Sequence, residues 1–217
     1  MTRRPARATS PAPARRAPAR RATRAHLDRL LAARNEHPER LEAIDREIHA
    51  AFSETRAILV LDMCGFSRLT MRHGITHFLA MIHRLHGLVR PIVVDHGGRV
   101  VKTDADNVFA TFADAPVAVD AARAIQARLD QANVFLPEDW DLHASLGIGY
   151  GPTLLVGQTD LFGNEVNIAS KLGEDIAGRG ETFLTAAARA RLPADTRVEQ
   201  REIQVSAVTV TAFKLLA

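Results

Sequence analysis

The 217-residue sequence has one cysteine, few aromatic residues and no long apolar run, and each scarcity excludes a class of protein. Cys64 has no second cysteine to pair with, so an intrachain disulfide framework is excluded. No apolar run approaches the roughly 20 residues that span a bilayer, and the basic N-terminus lacks the apolar region of a secretory signal. Because aromatic residues make up only 5% of the chain, its core must be built from Leu, Ile, Val and Ala. We therefore expect a cytoplasmic protein without a transmembrane segment.

Positive charge is concentrated at the N-terminus. The formal net charge is +3, but residues 1–25 contain eight arginines and no acidic residue. Subtracting these eight charges from +3 leaves −5 for residues 26–217, so the body of the protein is mildly acidic. A basic globular surface for nucleic acid is not indicated, and we expect no specific nucleic-acid binding.

Composition and periodicity divide the chain into three regions. Residues 1–25 are rich in Arg, Ala and Pro and have no apolar stripe, which predicts a disordered arm. Residues 26–55 have leucines and isoleucines at helical spacing, and Pro38 is expected to divide them into two helices. Residues 56–217 form the third region, in which apolar strands and helices alternate. The arm is interpreted either as a solubilising tail or as a contact for acidic surfaces, RNA or anionic lipid.

From residue 56 onward the pattern alternates between strands and helices. Strands are predicted over 57–61, 99–102, 108–112, 143–151, 153–156 and 183–184, with two more near 197–204 and 207–214. Helices are predicted over 68–95, 116–132 and 166–176. This order predicts an α+β fold with a ferredoxin-like βαββαβ core and C-terminal extensions.

The first motif is an apolar strand that ends in Asp62 and continues into a glycine-containing turn, Gly65-Phe66-Ser67. A carboxylate at a strand end can ligate a divalent metal, while backbone N–H groups in the turn face phosphate oxygens. Taken alone, such an aspartate is more often a helix cap or a surface acid.

The second motif is a predicted hairpin that contains Asp106. If the flanking strands pair as proposed, Asp106 and Asp62 meet at one end of the sheet, where two carboxylates would hold Mg²⁺ or Mn²⁺ on a triphosphate. An Asp-rich hairpin turn is the simpler interpretation of this segment by itself.

The third motif joins a glycine-rich strand, 146–151, to a helix that carries Asn167 and Lys171. These two residues are four apart, so they project from one face of the helix. An amide and a cation there can hold a ribose and a phosphate, although an ordinary solvated face is the alternative for this motif alone.

Together the three motifs, over about residues 57–190, resemble the catalytic domain of the class III adenylate/guanylate cyclase family. The resemblance implies the cyclase catalytic fold and conversion of ATP to cyclic AMP and pyrophosphate. It implies that Asp62 and Asp106 bind two Mg²⁺ or Mn²⁺ ions. It also implies that Lys102 and Asp160 recognise adenine, the lysine donating to a ring nitrogen and the carboxylate accepting from the exocyclic amine.

The same resemblance assigns roles to the turn and to the third motif. Gly65, Phe66 and Ser67 would contact the substrate phosphates, and Asn167 would orient the ribose. Lys171 stands where the family has an arginine that steadies the pentavalent phosphate. The family shares its active site across a homodimer, with the metal carboxylates from one subunit and the remaining groups from the other.

Two departures from the family pattern leave alternatives open. Lys171 keeps the positive charge of the family's arginine but not its planar fork, and Asp104-Ala105 replaces an apolar residue and a glycine. A catalytically silent regulatory module is therefore one alternative. A guanylate cyclase acting on GTP is another, against which Lys102 argues because guanylate cyclases usually carry an acid there. Regulatory input is expected from a partner protein, from oligomerisation, or from the arm and the N-terminal helices.

Overall fold

The computed structural model describes residues 22–205 and 208–216. Residues 1–21 of the predicted arm therefore lie outside the described residues. The N-terminal segment contains two helices with a 3-10 turn (Pro38–Arg40) between them. Proline favours the first position of such a turn because its ring fixes φ and its missing N–H would have no helical partner there.

The helices and strands alternate as the pattern predicts. The helices are α1 (Arg24–Glu36), α2 (Leu41–Phe52), α3 (Phe66–His73), α4 (Ile75–Asp95), α5 (Ala115–Asn133), α6 (Asn164–Lys171) and α7 (Ala186–Arg189). The strands are β1 (Ser53–Met63), β2 (Arg99–Asp104), β3 (Asn107–Phe112), β4 (Ala144–Val156), β5 (Asp160–Phe162), β6 (Thr182–Thr185), β7 (Val198–Val205) and β8 (Val208–Leu215). A further 3-10 turn covers Glu138–Trp140, and a π-helical turn, Leu172–Ile176, follows α6.

The strands form one sheet in the order β2-β3-β1-β4-β6-β8-β7, with β5 paired to β4. Strands β1 to β4 pair with one another in antiparallel fashion, which is the arrangement of a βαββαβ core. Strand β6 adds to β4 in parallel, and β8 and β7 extend the sheet from there. The predicted α+β fold is confirmed.

Strand β1 lies inside the sheet between β3 and β4, and residues 57–61 are fully buried because layers cover both faces of the sheet there. On one face, α4 and α5 contribute apolar side chains to the main core, including Leu85 and Ile125. On the other face, α6 contributes Val166 and Ala169 to a smaller cluster that includes Ile58 and Val60. The continuous apolar run of β1 is therefore the pattern expected of a strand buried on both sides.

The N-terminal helices form a third apolar cluster at the far end of β4. Leu27 and Leu30 of α1 pack with Ile44 and Ile48 of α2 and with Val156 of β4. The helical spacing of these residues is thus explained by burial against the sheet.

Three predicted elements differ from those observed. Residues 68–95 are two helices, because Gly74 between them has a left-handed φ of 82°. The strands predicted over 143–151 and 153–156 are one strand, β4. Pro152 is tolerated in it because it lies between the stretches that pair with β6 and with β5, where the described strands leave one edge of β4 without a ladder partner. The helix predicted over 166–176 is α6 plus the π turn.

Strand β5 and helix α7 were not predicted, since three or four residues are too short to establish a period. Within the described ranges, none of the helices combines the length and apolar character needed to cross a bilayer.

Candidate active site

Asp62 lies near the C-terminal end of β1, directly before the last residue of the strand. Its backbone pairs in register with Ser145 of β4, and its side chain is half-buried. Pairing of β1 with β3 as far as Leu61, and with β4 through Met63, fixes the position of the Asp62 Cα. The carboxylate is therefore presented from a rigid element, as a metal ligand requires.

Asp106 lies in the tight turn that joins β2 to β3. Asp104 pairs with Asn107, which leaves Ala105 and Asp106 as the loop, and Ala105 adopts a left-handed φ of 49°. The loop is thus a two-residue hairpin whose first position would suit glycine. Because β3 pairs directly with β1, the hairpin lies at the same end of the sheet as Asp62.

The two carboxylates are in electrostatic contact. Burial raises the pKa of Asp62 to about 7, with the Asp106 carboxylate as the next contribution and Glu174 and Asp175 after it. Burial and the Asp104 carboxylate raise the pKa of Asp106 as well. Carboxylates crowded in this way share an excess of negative charge, which a divalent cation would neutralise.

The chemistry of these groups fits Mg²⁺ or Mn²⁺. Both ions prefer oxygen ligands, and Mg²⁺ is usually held by one or two carboxylates together with substrate phosphates and water. Within residues 22–205 and 208–216, no group of three or more His, Cys, Asp and Glu side chains is arranged to hold a metal. Asp62 and Asp106 would supply two carboxylate ligands to such an ion, and phosphate oxygens or water would supply the others.

The turn after β1 presents backbone N–H groups. Gly65 is the N-cap of α3 and has a left-handed φ of 98°. Glycine has no side chain with which to cap the first turn of the helix, so those N–H groups can donate to an anion. The side chains of Phe66 and Ser67 lie outside the described part of the structure.

Lys102 and Asp160, which the sequence predicts to recognise adenine and which are here called the base-recognition pair, form a hydrogen-bonded ion pair. Lys102 Nζ donates to Asp160 Oδ1 over 3.0 Å, and its ammonium lies 4.8 Å from the ring centre of Phe109. The Leu161 N–H donates to the same oxygen over 3.0 Å. A donor and an acceptor predicted from distant segments thus lie side by side in one chain.

Asp160 has one more partner, which the sequence motifs did not indicate. Arg24 Nη2, from the start of α1, donates to Asp160 Oδ2 over 2.5 Å. Burial opposes ionisation of Asp160, but the hydrogen bonds from Lys102, Leu161 and Arg24 outweigh it and lower the pKa of the carboxyl group. Asp160 is therefore an ionised acceptor at neutral pH.

Helix α6 packs directly on the glycine-rich strand β4. A Cβ on Gly147 would lie 2.0 Å from the Ala169 carbonyl oxygen, and one on Gly149 would lie 2.7 Å from that of Glu165. Glycines at alternate positions therefore clear one face of β4 for the helix.

The carboxylate of Glu165 fastens the start of α6. Its Oε2 atom accepts from the Tyr150 N–H over 3.1 Å and from the Thr185 hydroxyl over 2.6 Å. Glu165 thus connects α6 to β4 and β6, a role that the family motifs did not indicate.

Asn167 and Lys171 project from α6 as predicted, and both are exposed. Lys171 Nζ donates to Asp175 Oδ2 in the π turn over 2.5 Å. The Lys171 side chain remains 47% exposed, so a surface ion pair of this kind holds it only weakly.

Comparison with known proteins finds relatives that are named adenylate cyclases. The chain is 36% identical over 116 residues to a putative adenylate cyclase 3 of Rhizobium meliloti, covering 54% of this chain and 20% of that relative. It is 29% identical over 131 residues to an adenylate cyclase of Streptomyces coelicolor, covering 60% of this chain and 30% of that relative. The chain thus spans less than a third of the length of these curated relatives. No protein-family model matches it.

A solved structure extends the similarity to the whole domain. The adenylate/guanylate cyclase/hydrolase from Silicibacter pomeroyi superposes with a TM-score of 0.65 at 26% identity, covering 76% of this chain and 98% of that one. The chain therefore has the fold of a cyclase catalytic domain, and its sequence is similar to that of adenylate cyclases.

The cyclase fold accounts for the convergence of the three motifs. It brings the end of β1 and the β2–β3 hairpin together, and it places the base-recognition pair on β2 and β5. The roles of the individual residues in this chain are predictions. Arg24 and Glu165 are additions from the structure, since neither belongs to a motif that spacing alone could identify.

Proposed function

We propose that this chain is an adenylate cyclase that converts ATP to 3′,5′-cyclic AMP and pyrophosphate. The hydrogen bond between Lys102 and Asp160 carries the proposal, because it supplies one donor and one acceptor at adjacent positions. Adenine offers a ring-nitrogen acceptor next to an exocyclic amine donor, which matches that pair. The cytoplasmic location of this activity stays a prediction.

The metal carboxylates of the proposed reaction are Asp62 and Asp106. When bound there, divalent cations would lower the pKa of the attacking hydroxyl and neutralise the phosphate charge. The side chains hold negative charge at the end of β1, and the turn at Gly65 directs N–H groups toward the triphosphate. This half of the site would therefore bind the reacting phosphates.

The bond changes are few. The ribose 3′-hydroxyl loses its proton to water and its oxygen forms a bond to the α-phosphorus. The bond from that phosphorus to the bridging oxygen breaks, and pyrophosphate leaves. Asn167 would orient the ribose, and Lys171 would donate to a non-bridging oxygen of the α-phosphate. Positioning and charge stabilisation supply the acceleration in such a reaction.

The proposed site is completed by a second copy of the chain. Asp62 and Asp106 would come from one subunit, and Lys102, Asp160 and Asn167 from its partner. Each homodimer would then contain two equivalent sites, as twofold symmetry requires.

Product analysis tests the activity. Purified protein is incubated with Mn²⁺ and either ATP or GTP, and the products are identified by mass. We expect cyclic AMP from ATP, at least tenfold less product from GTP, and none from Asp62→Asn. Equal yields from the two nucleotides would make the protein a non-selective cyclase, and ATP left intact by the wild-type protein would overturn the proposal.

Mixing two inactive variants tests the shared site. Asp106→Asn lacks a metal carboxylate, and Asn167→Ala lacks the ribose contact. In a mixed dimer one site carries both changes and the other carries neither, so random mixing should restore about a quarter of wild-type activity. If the mixture stays inactive although the variants form dimers, each site belongs to one chain.

One observation favours a second candidate, a catalytically silent module that binds nucleotide. Lys171 replaces the family's arginine, and its ammonium is turned toward Asp175. ATP would then raise the melting temperature of the protein. The product analysis described above would find no cyclic AMP in that case.

A further inference from the structure

The two oxygens of Asp160 have different partners. Oδ1 accepts from both Lys102 Nζ and the Leu161 N–H. Oδ2 accepts from Arg24 Nη2. Since Oδ1 already has two donors, Oδ2 is the oxygen left for an incoming amine.

Arg24 occupies an electrostatically unfavourable place in its own helix. It is the first residue of α1, and the first turn contains no acidic side chain. A cation there opposes the positive end of the helix dipole. Its contact with Asp160 offsets this, and the guanidinium also lies 5.5 Å from the ring centre of Phe162.

The start of α1 is fastened to the β4–β5 hairpin at a second point. The Gly157 N–H donates to the Ala22 carbonyl over 2.6 Å, and Leu27 packs in the cluster that contains Val156. The backbone near Arg24 is thus held against the hairpin that carries Asp160. The side chain of Arg24 is 49% exposed, so it can swing away without unfolding the helix.

We propose that Arg24 is an internal competitor for the nucleotide base, because it occupies the Asp160 oxygen that the adenine amine would use. The first turn of α1 then gates the base-recognition pair, and binding of ATP requires Arg24 to release Oδ2. This inference rests on the proposed function, since it takes Asp160 as a base-recognising group.

The test is equilibrium binding of 3′-deoxy-ATP with Mn²⁺ by calorimetry, because that nucleotide lacks the attacking hydroxyl and cannot be cyclised. We expect Arg24→Gln to bind it about two- to fivefold tighter than the wild-type protein, the range that an exposed ion pair allows. Arg24→Lys, which keeps the charge, should stay closer to the wild-type protein. Arg29→Gln is the matched control, since Arg29 is an exposed arginine of the same helix.

Two further measurements test whether the tighter binding by Arg24→Gln comes from the contact between Asp160 and the base. Inorganic tripolyphosphate has no base, so its binding should not change in Arg24→Gln. In an Asp160→Asn background, Arg24→Gln should give no additional gain, because the two residues act on one contact. Melting temperatures of all variants show whether a change in affinity reflects the contact between Arg24 and Asp160 or a loss of folded protein.

The inference is overturned if Arg24→Gln binds 3′-deoxy-ATP no tighter than the wild-type protein does. It is also overturned if Arg29→Gln gains the same affinity for 3′-deoxy-ATP, or if Arg24→Gln binds tripolyphosphate more tightly as well. Absence of binding by both the wild-type protein and Arg24→Gln would overturn it too. The outcome is independent of turnover. If the wild-type protein makes no cyclic AMP but Arg24→Gln binds 3′-deoxy-ATP more tightly, the cyclase activity is rejected and the role of Arg24 as a gate is retained. If the wild-type protein makes cyclic AMP but Arg24→Gln binds no more tightly, only the role of Arg24 is rejected.

Discussion

Asp106, in the turn between β2 and β3, raises the pKa of Asp62 at the end of β1, second only to burial among the causes that bring it to about 7. In the unfolded chain an aspartate titrates near 4. Below about pH 4 the group is protonated in both states. As the pH rises toward 7 the unfolded chain ionises first, so the free energy of unfolding falls across this window and stays low above it.

Replacing Asp62 should therefore stabilise the metal-free protein. We expect Asp62→Asn to raise the free energy of unfolding at pH 8 by about 1–2 kcal/mol, a discounted figure because the half-buried site is partly screened by solvent. The gain should vanish near pH 4, and Mn²⁺ should stabilise the wild-type protein more than the variant. Urea unfolding in EDTA measures this, with the exposed Asp120→Asn on α5 as the control. An unchanged or lower stability of Asp62→Asn at pH 8 would contradict the electrostatic account.

Glu165 should be needed for both stability and turnover. Glu165→Ala leaves the Tyr150 N–H and the Thr185 hydroxyl without their acceptor, which costs about 2 kcal/mol and lowers the melting temperature by roughly 5 °C. Glu165→Gln keeps one acceptor oxygen and should lose about half as much. Because α6 carries Asn167, kcat should fall further than ATP affinity. The control is Glu42→Ala, whose 92% exposed side chain forms only a surface ion pair, and a Glu165→Ala variant as stable as that control would refute this role.

Ala105 offers a stabilising substitution. Its left-handed backbone, with φ of 49°, costs a residue with a Cβ about 1–2 kcal/mol, and the greater flexibility of glycine in the unfolded chain cancels part of the gain. Ala105→Gly should raise the free energy of unfolding by about 0.5–1 kcal/mol. Ala127→Gly, in the exposed interior of α5, should act in the opposite direction by about 1 kcal/mol. Thermal unfolding of both variants shows whether each substitution raises or lowers the free energy of unfolding. A destabilised Ala105→Gly would show that the turn is not strained.

Most of the sheet could be predicted from the sequence because its strands have recognisable local sequence patterns. The apolar run of β1 and the alternating glycines of β4 are properties of neighbouring residues, and short antiparallel connections fix which strands pair. The meeting of Asp62 with Asp106 followed from that pairing. Pro152 misled the prediction because its tolerance depends on which edge of β4 lacks a partner, which is a property of the assembled sheet.

The contacts that the sequence could not predict are those between side chains far apart in the chain. Arg24 and Asp160 are separated by 136 positions, and no period or motif connects them. The bond from Thr185 to Glu165 depends on how close the strands and α6 approach one another, which only the packed structure fixes. Strand β5 is stabilised by its pairing with β4 and has no pattern of its own.

Substitutions of Lys171 test whether the site is catalytically active or silent. Its ammonium now donates to Asp175, an exposed i,i+4 pair that a substrate phosphate can replace at little cost. If Lys171 donates to the phosphate in the transition state, Lys171→Met should lower kcat by about 10²–10³ with a smaller change in KM. Lys171→Arg should match or exceed the wild-type kcat, because its planar fork makes two bonds to phosphate. Initial rates of cyclic AMP formation measure both, with Arg128→Met on α5 as a control for the lost charge. A Lys171→Met protein within about twofold of wild-type kcat would remove Lys171 from the chemistry and leave α6 to position the ribose through Asn167 alone.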